Sequence, residues 1–247
     1  MTAPRVYVEP PLAGGATIEL PEGAFRHLVQ VLRMQAGEAL VLFDGRGGEY
    51  QAQLTSVAKR AASVTIGAHR DVERESALDL TLVQGISKGD RMDFTIQKAV
   101  ELGVRRIAPI TTERCNVHLD ADRQGKRLEH WRGVIVSACE QSGRTRIPVL
   151  EPVRRFDAYL AASAGTVRFV LDPQAQTSLA AAAAEVGQDQ AIAVVVGPEG
   201  GLSAAELALA VRNGVIGVRM GPRVLRTETA GLAALTMLQA ARGDLRH

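Results

Sequence analysis

Aromatic residues and cysteines are scarce in this sequence. Only 4% of its 247 residues are aromatic, and two are cysteines. The low aromatic content argues against an extensive platform on which nucleobases stack. Cys115 and Cys139 form neither a C-x-x-C pair nor a cluster with histidines. This pattern excludes a structural zinc site and predicts two free, buried thiols in a reducing cytoplasm.

Long apolar runs and nucleotide-binding fingerprints are also missing. No run approaches the roughly 18 residues that indicate a membrane-spanning helix, and the N-terminus lacks the apolar segment of a signal peptide. The sequence has no G-x-G-x-x-G fingerprint, no G-x-x-x-x-G-K-S/T phosphate loop and no H-E-x-x-H zinc motif. We therefore expect no membrane span and no metal. A nicotinamide-dependent oxidoreductase is a disfavoured alternative.

The charge of the chain is unevenly distributed. The formal net charge is +2, but residues 105–155 hold 11 Arg or Lys against 6 Asp or Glu, which leaves the remainder at −3. Arginine outnumbers lysine in this segment, and its planar guanidinium suits bidentate contacts with phosphate. The excess fits a solvated helix face or an RNA-binding surface, and composition alone leaves both open.

Residues 1–70 predict a small β-barrel domain interrupted by one helix. Short segments rich in β-forming residues are separated by Gly- and Pro-containing turns, at residues 5–8, 17–20, 39–43, 49–57 and 62–66. The spacing of Phe25, Leu28 and Leu32 predicts a helix over residues 22–34 with these side chains in the core. Its polar face, which carries Arg26 and His27, is either solvated or contacts RNA.

Residues 77–247 predict an α/β domain that follows a polar linker at 70–76. Apolar strands alternate with amphipathic helices, which is typical of a mostly parallel sheet. The predicted strands are 78–83, 106–110, 167–171, 191–196 and 215–220, and the predicted helices are 90–102, 123–141, 178–186, 204–212 and 227–241.

Two of these strands end in glycine-rich loops. The apolar strand 191–196 runs into Gly197-Pro198-Glu199-Gly200-Gly201, after which Ser203 and Glu206 have the spacing of a capping box. The strand 215–220 ends in Gly221-Pro222-Arg223, and Thr227 is predicted to cap the last helix. Because open α/β sheets bind ligands at the carboxyl ends of their strands, the sequence predicts a ligand site between these loops.

Four segments carry a family resemblance: KAVELGV at 98–104, EQSGR at 140–144 followed by Ile147-Pro148, VGPEGG at 196–201, and LRTETA at 225–230. They resemble the signature segments of the bacterial 16S ribosomal RNA uracil-N3 methyltransferases, a branch of the SPOUT superfamily. The resemblance implies an α/β fold with a C-terminal trefoil knot, preceded by a PUA-like RNA-binding domain. It also implies a cytoplasmic homodimer, joined through the C-terminal domain, that uses S-adenosylmethionine to methylate N3 of a uridine within the small ribosomal subunit.

The resemblance also implies a set of site residues. The expected donor-binding residues lie at or near three strand ends: Leu171, Asp172, Val196, Gly197, Glu199, Gly200, Met220, Gly221, Leu225, Thr227 and Glu228. Arg226 and Arg144 are candidates for stabilising the uracil anion or holding its phosphate. Glu199 is the catalytic carboxylate we predict, although Glu199 or Glu228 could accept the proton or act as a structural acceptor. The expected RNA contacts are Arg5, Arg26, His27, Arg33, Arg114 and Arg144.

Two further functions remain open at this point. A 2′-O-methyltransferase of the same superfamily would share the glycine-rich loops but modify ribose. A non-catalytic assembly factor would bind RNA without binding S-adenosylmethionine. The sequence does not identify the target nucleotide, the general base, the order of substrate binding, or whether free RNA or the assembled subunit is the substrate.

Overall fold

The computed structural model of the chain describes residues 3–9, 11–115, 121–162 and 165–246. The chain divides into two compact units, of which the first comprises Met1–Glu75 together with Cys139–Ile147. The second unit comprises Ser76–Ala138 and Pro148–His247. The division after Glu75 falls inside the predicted linker. The segment Cys139–Ile147, which was predicted to lie in the second domain, belongs to the first unit.

The first unit contains a five-stranded sheet. Its strands are β1 (Arg5–Tyr7), β2 (Thr17–Glu19), β3 (Ala39–Phe43), β4 (Glu49–Val57) and β5 (Ala62–Arg70). They are ordered β1-β3-β4-β5-β2, and each pair is antiparallel except β1 with β3. Alternate residues of β3, β4 and β5 point into one core, among them Leu40, Leu42, Leu54, Val64 and Ile66. The predicted barrel strands are thus observed as this sheet.

The predicted helix over residues 22–34 is only partly regular. A short helix, α1 (Glu22–Phe25), continues as a π-helix over Arg26–Val31, where the Leu32 N–H donates to the His27 carbonyl, five residues back. The wider turn shifts the side-chain spacing, so Phe25 and Leu28 are buried as predicted but Leu32 is 45% exposed. Placing Leu32 in the core was therefore wrong. The segment ends at Arg33 with a φ of 58°, the one positive φ at a non-glycine residue in the described ranges.

A buried carboxylate organises the arginines of the first unit. Glu49 is 3% exposed, pairs with Arg5, and lies 3.4 Å from the Arg74 guanidinium and 3.7 Å from that of Arg70. Burial alone raises the pKa of the Glu49 carboxyl, but the hydrogen bonds and charges of Arg5 and Arg74 outweigh it and hold the pKa below its usual value. Arg5 also donates to the Arg144 carbonyl at 3.2 Å.

Replacing Glu49 with glutamine is expected to destabilise the first unit by about 3 kcal/mol, because it removes one partner of a buried ion pair. Hydrogen exchange of the β3–β5 amides at pH 7 measures this loss. Since the folded pKa is lowered, the stabilisation is present above pH 4.5 and is lost as pH falls through the folded value. Glu22→Gln is the matched control, because its pair with Arg26 is exposed and contributes about 0.3–0.5 kcal/mol. Equal exchange rates in the two variants would contradict the prediction.

Two further ion pairs explain why Cys139–Ile147 belongs to the first unit. The Arg144 Nε donates to Glu75 at 3.0 Å, and a second contact joins Arg144 Nη2 to the other carboxylate oxygen. Arg146 Nε donates to Glu73 at 3.0 Å. The side chains of Arg144 and Glu75 are 5% and 6% exposed, so this bidentate pair is shielded from solvent.

The second unit is built from alternating strands and helices. Its strands are β6 (Leu80–Gly85), β7 (Arg106–Thr111), β8 (Val149–Leu150), β9 (Arg154–Arg155), β10 (Val167–Leu171), β11 (Ile192–Val196) and β12 (Ile216–Val218). Its helices are α2 (Asp90–Glu101), α3 (Ala121–Ser142, whose last four residues belong to the first unit), α4 (Phe156–Ala162), α5 (Leu179–Ala184), α6 (Ala204–Arg212) and α7 (Thr227–Arg242), and a 3-10 turn follows at Asp244–Arg246.

These strands form the mostly parallel sheet that the sequence predicted. The order is β12-β10-β11-β6-β7-β8, with β9 also paired to β7, and every pairing among them is parallel. All five residues of β11 are buried, as its uninterrupted apolar sequence predicted. Helix α7, the last long helix of the described chain, packs on β6, β11 and α2.

Local capping signals gave one correct and one wrong prediction. Ser203 and Glu206 form the predicted capping box at the start of α6. Thr227 does not cap α7, because Arg226 occupies the N-cap position and the Thr227 hydroxyl donates to the Gly197 carbonyl instead. Among the described helices, none combines the length and apolar character needed to cross a membrane.

Candidate functional site

Three neighbouring strands of the second unit end at the same edge of the sheet. Because β12, β10 and β11 are adjacent and parallel, their carboxyl ends at Val218, Leu171 and Val196 lie side by side. The loops that follow include both glycine-rich segments predicted to form a ligand site. The topology therefore brings residues from three distant parts of the chain to one place.

A cavity of about 760 Å³ lies at this edge. Its volume falls within the range of about 300–1,000 Å³ that is usual for sites holding small molecules. Most of its lining residues come from the three strand ends, the two loops and the first turn of α7. Ten of the predicted donor-binding residues line it: Leu171, Asp172, Val196, Gly197, Glu199, Met220, Gly221, Leu225, Thr227 and Glu228.

The eleventh predicted residue, Gly200, faces a different neighbour and does not line the cavity. A side chain at Gly200 would begin 3.0 Å from Arg114 Cβ and 3.1 Å from its carbonyl oxygen, so this close approach favours glycine. Arg114 Nη1 in turn donates to the Gly200 carbonyl at 3.3 Å. Arg114 therefore packs against the 197–201 loop and also lines the cavity.

Arginines dominate the charge of the cavity. Five of them line it, Arg91, Arg114, Arg219, Arg223 and Arg226, against three carboxylates, Asp172, Glu199 and Glu228. Such an excess of positive charge favours an anionic ligand or a negatively charged transition state. Arg226 is exposed at the N-cap of α7, and its side chain makes no capping hydrogen bond.

Glu199 is held by two groups at and just before the start of α2. Its Oε1 accepts from the Lys88 backbone N–H at 2.9 Å and from Arg91 Nη1 at 3.2 Å. Burial raises the pKa of the Glu199 carboxyl, but the N–H groups of Lys88 and Glu199 itself, with Arg91, outweigh burial and lower the pKa. An efficient general base has a pKa near the working pH, so this arrangement favours a structural acceptor over a base.

Arg91 is a residue of this site that the sequence did not predict. It lies in the first turn of α2, just beyond the end of β6, and both its Glu199 contact and its place in the cavity depend on tertiary packing. The one available signal was the loop Lys88-Gly89 after another apolar strand of the same sheet. Gly89 has a φ of 56°, which is a conformation suited to glycine.

The remaining predicted residues belong to the first unit. Arg26, His27 and Arg33 are exposed on or beside its π-helix. Arg5 and Arg144 are engaged in the buried ion pairs described above, and Arg144 is only 4% exposed. This placement does not support roles for Arg5 and Arg144 at RNA or at a reacting base, and it assigns them to the stability of the first unit.

The two cysteines differ in their surroundings. Burial raises the pKa of the Cys139 thiol to about 12, so this group stays protonated and unreactive. Cys115 is half-buried rather than buried as predicted, and its thiol donates to the Ile86 carbonyl at 3.5 Å. In the described part of the chain, no group of three or more His, Cys, Asp or Glu side chains could hold a metal ion.

Comparison with known proteins identifies the family of this architecture. A family model described as an RNA methyltransferase domain matches residues 74–239, about two thirds of the chain, and an RNA methyltransferase PUA domain matches residues 20–67. The chain belongs to the RNA methyltransferase family. The matches confirm the predicted α/β methyltransferase fold with a PUA-like domain before it.

Individual relatives of this RNA methyltransferase cover its whole length. The ribosomal RNA small subunit methyltransferase E of Buchnera aphidicola (subspecies Schizaphis graminum) is 30% identical over 98% of both chains. A methyltransferase of Legionella pneumophila, crystallised with S-adenosylmethionine, has a TM-score of 0.93 and 38% identity, covering 99% of this chain and 100% of that one. The ribosomal RNA small subunit methyltransferase E of Neisseria gonorrhoeae, also bound to S-adenosylmethionine, has a TM-score of 0.90 and 39% identity, covering 98% and 99% of the two chains.

The cavity of this methyltransferase has the groups that S-adenosylmethionine requires. Apolar side chains at Leu171, Val196 and Val218 can enclose an adenine ring, while the arginines complement the carboxylate of the donor. Asp172 and Glu228 place negative charge in the cavity, which suits a sulfonium cation. The residues present therefore fit the cofactor found in the two related structures.

Proposed function

We propose that this chain uses S-adenosylmethionine to methylate N3 of a specific uridine in the RNA of the small ribosomal subunit. The observation that carries the proposal is the single cavity formed by three adjacent strand ends and both glycine-rich loops, in a chain of the RNA methyltransferase family. Full-length relatives are named ribosomal RNA small subunit methyltransferase E, and a related structure of that name holds S-adenosylmethionine.

The residues of the cavity divide into those that hold the donor and those that act on the acceptor. Backbone groups of Gly197, Met220, Gly221 and Leu225 hold the donor, since glycine permits close approach of the chain. When bound, S-adenosylmethionine supplies an activated methyl group, so the protein must chiefly align the acceptor and exclude water. No metal takes part in this proposal.

The acceptor nitrogen of uracil carries a proton, which passes to water as the base ionises, before the nitrogen accepts the methyl group. Arg226 stabilises the resulting anion, because its exposed guanidinium lines the cavity at the N-terminus of α7, where the helix dipole adds positive charge. Glu199 accepts hydrogen bonds from Lys88 and Arg91 and in this way fixes the position of the 197–201 loop. Glu228 lies in the first turn of α7, where a carboxylate also favours the dipole.

The decisive experiment is methylation of 16S RNA and of small ribosomal subunits with labelled donor, followed by nuclease digestion and mass spectrometry of the nucleosides. The expected product is 3-methyluridine, formed faster on the subunit than on free RNA. A 2′-O-methylated nucleoside would replace the proposal with ribose methylation. RNA binding without donor binding by calorimetry would instead indicate an assembly factor.

Contacts with RNA are proposed on both units. On the first unit, Arg26, His27 and Arg33 are exposed along the π-helix and its end. On the second, Arg114 lies at the cavity. On the first unit, the side chains of Val31 and Leu32, which precede Arg33 in the chain, are 65% and 45% exposed and can contact unpaired bases.

Replacing Arg33 with glycine is expected to weaken RNA binding without weakening the fold. The φ of 58° is unfavourable for a side chain, so glycine removes strain and should raise the melting temperature by about 2 °C. Loss of one phosphate contact should weaken RNA binding about fivefold and reduce the salt dependence of log Kd by about one. Filter binding across a salt series measures both. Arg60→Gly is the control, and a variant at Arg33 that binds like the unmodified chain would refute the contact.

The family resemblance also implies a knot, a homodimer and a cytoplasmic location, and these are part of the proposal. We propose a trefoil knot in the C-terminal region, supported by the convergence of the loops after β11 and β12 beside the start of α7. We propose a homodimer through the second unit, supported by the exposed apolar side chains of Val211, Ile216 and Met237. Light scattering tests the dimer. The ribosomal substrate supports action in the cytoplasm.

A further inference from the structure

The end of β6 packs against the start of the 197–201 loop. Gln84 is opposite Val196 in the register of β6 with β11, so Gln84 and Gly85 lie beside the point where the loop begins. A side chain at Gly85 would begin 2.5 Å from the Pro198 nitrogen and 2.9 Å from the Gly197 carbonyl carbon. The Gly197–Pro198 peptide therefore rests directly on the backbone of Gly85.

A chain of hydrogen bonds fixes this peptide from beneath. Gln84 is 0% exposed, and its Nε2 donates to the Gly85 carbonyl at 3.0 Å and to the Thr227 hydroxyl at 2.9 Å. The Thr227 hydroxyl donates to the Gly197 carbonyl at 2.6 Å. One buried amide thus joins β6, the first residue of α7 and the loop after β11. Thr227 and Gly197 line the cavity, whereas Gln84 lies behind it.

The orientation of the Gln84 amide is determined by its neighbours. Reversing the amide would turn Oε1 toward the Gly85 carbonyl oxygen, which cannot donate, so the nitrogen must face that side. In the described structure Oε1 is buried and accepts no hydrogen bond. A side chain at Gly231 of α7 would begin 3.4 Å from this oxygen, 3.3 Å from Leu82 Cδ1 and 3.5 Å from Val196 Cγ2. Folded proteins seldom leave a buried acceptor unpaired. Because Oε1 has no partner, the two hydrogen bonds that Nε2 donates are the reason for a glutamine at this position.

We propose that Gln84 is a positioning residue of the donor cavity: through Thr227 it holds the Gly197–Pro198 peptide in the orientation that binds the methyl donor. The inference rests on the proposed function in one respect, namely that the cavity binds S-adenosylmethionine. Gln84 does not touch the donor in this proposal. It acts through Thr227, whose hydroxyl is both acceptor for Gln84 and donor to Gly197.

The test compares Gln84→Leu and Thr227→Val, which break the same chain of hydrogen bonds at its first and its middle member. Each is expected to weaken S-adenosylmethionine binding about tenfold by calorimetry, and to raise the donor KM with little change in kcat. The double variant should be no more than about twofold weaker than either single variant, because residues of one network are not additive. Thr227→Ser keeps the hydroxyl and should bind within about twofold of the unmodified chain.

Gln239→Leu is the matched control, since Gln239 is also a 0% exposed glutamine of the second unit. Its amide joins the Ser76 hydroxyl at 2.7 Å and the Leu102 carbonyl at 2.9 Å, away from the cavity. This variant should lose stability but keep donor affinity.

The inference is overturned if Gln84→Leu or Thr227→Val binds the donor like the unmodified chain, or if their effects multiply in the double variant. Absence of donor binding by the unmodified chain would instead refute the proposed function. Should Gln84→Leu fail to fold, Thr227→Val and Thr227→Ser still decide.

Discussion

Replacing Arg226 with alanine is expected to lower the rate of methyl transfer by about 10²–10³-fold while S-adenosylmethionine still binds. Removal of one group that stabilises developing negative charge has an effect of this size in water-excluded sites. Arg226 is suited to this role because it lines the cavity beside the N-terminus of α7 and makes no capping hydrogen bond through its side chain. Single-turnover rates on small subunits, with donor affinity from calorimetry, separate the two effects.

The structure supplies a control for this substitution. Arg223 is also an exposed arginine that lines the cavity, so Arg223→Ala removes the same amount of positive charge from the cavity as Arg226→Ala does. We expect it to weaken RNA binding with less than about a tenfold change in the rate at saturating RNA. The backbone carbonyl of residue 226 continues to accept from Thr229 and Ala230 in either variant, so α7 keeps its start. Equal losses in the two variants would show that total charge, not Arg226, matters.

Local sequence signals predicted much of this site. A fully apolar strand followed by Gly-Pro, and a Ser203-to-Glu206 capping box after it, define the two ends of the first loop. The same reasoning located the second loop at Gly221. Because parallel strands of one sheet end at one edge, the meeting of these loops followed from fold class. Ten of eleven predicted donor residues consequently line one cavity.

Interactions between distant residues could not be predicted in this way. The partner of Arg144 is Glu75, 69 positions away, and nothing near residue 144 indicates its burial. Thr227 has the residue type of an N-cap, but the nearby Gly197 carbonyl and Gln84 amide use its hydroxyl instead. The π-helix arises within a sequence whose three- and four-residue spacing fits an ordinary helix. At Thr227, contacts with distant residues outweigh a local preference.

Two substitutions of Glu199 distinguish a structural hydrogen-bond acceptor from a general base. Glu199→Ala removes the acceptor for the Lys88 N–H and for Arg91, which should cost about 2–3 kcal/mol, or about 30- to 150-fold in kcat/KM. The Lys88 bond contributes most of this loss, since the Arg91 side chain is 48% exposed and its ion pair is screened by solvent. Glu199→Gln keeps a neutral acceptor and should lose only about fivefold. If Glu199 removed the proton, both variants would lose kcat/KM to the same extent at pH 7.

The pH dependence of methyl transfer gives an independent test of the same assignment. Because the pKa of Glu199 lies below its usual value, this carboxylate is ionised throughout pH 6–9 and cannot produce a change in rate there. Without a protein base, the rate follows the ionised fraction of uracil and rises about tenfold per pH unit until that group is titrated. The unmodified chain and Glu199→Gln should therefore give parallel rising profiles. A rate that is flat from pH 6 to 9 in the unmodified chain, and rises with pH in Glu199→Gln, would identify Glu199 as the base and reject its role as a structural hydrogen-bond acceptor.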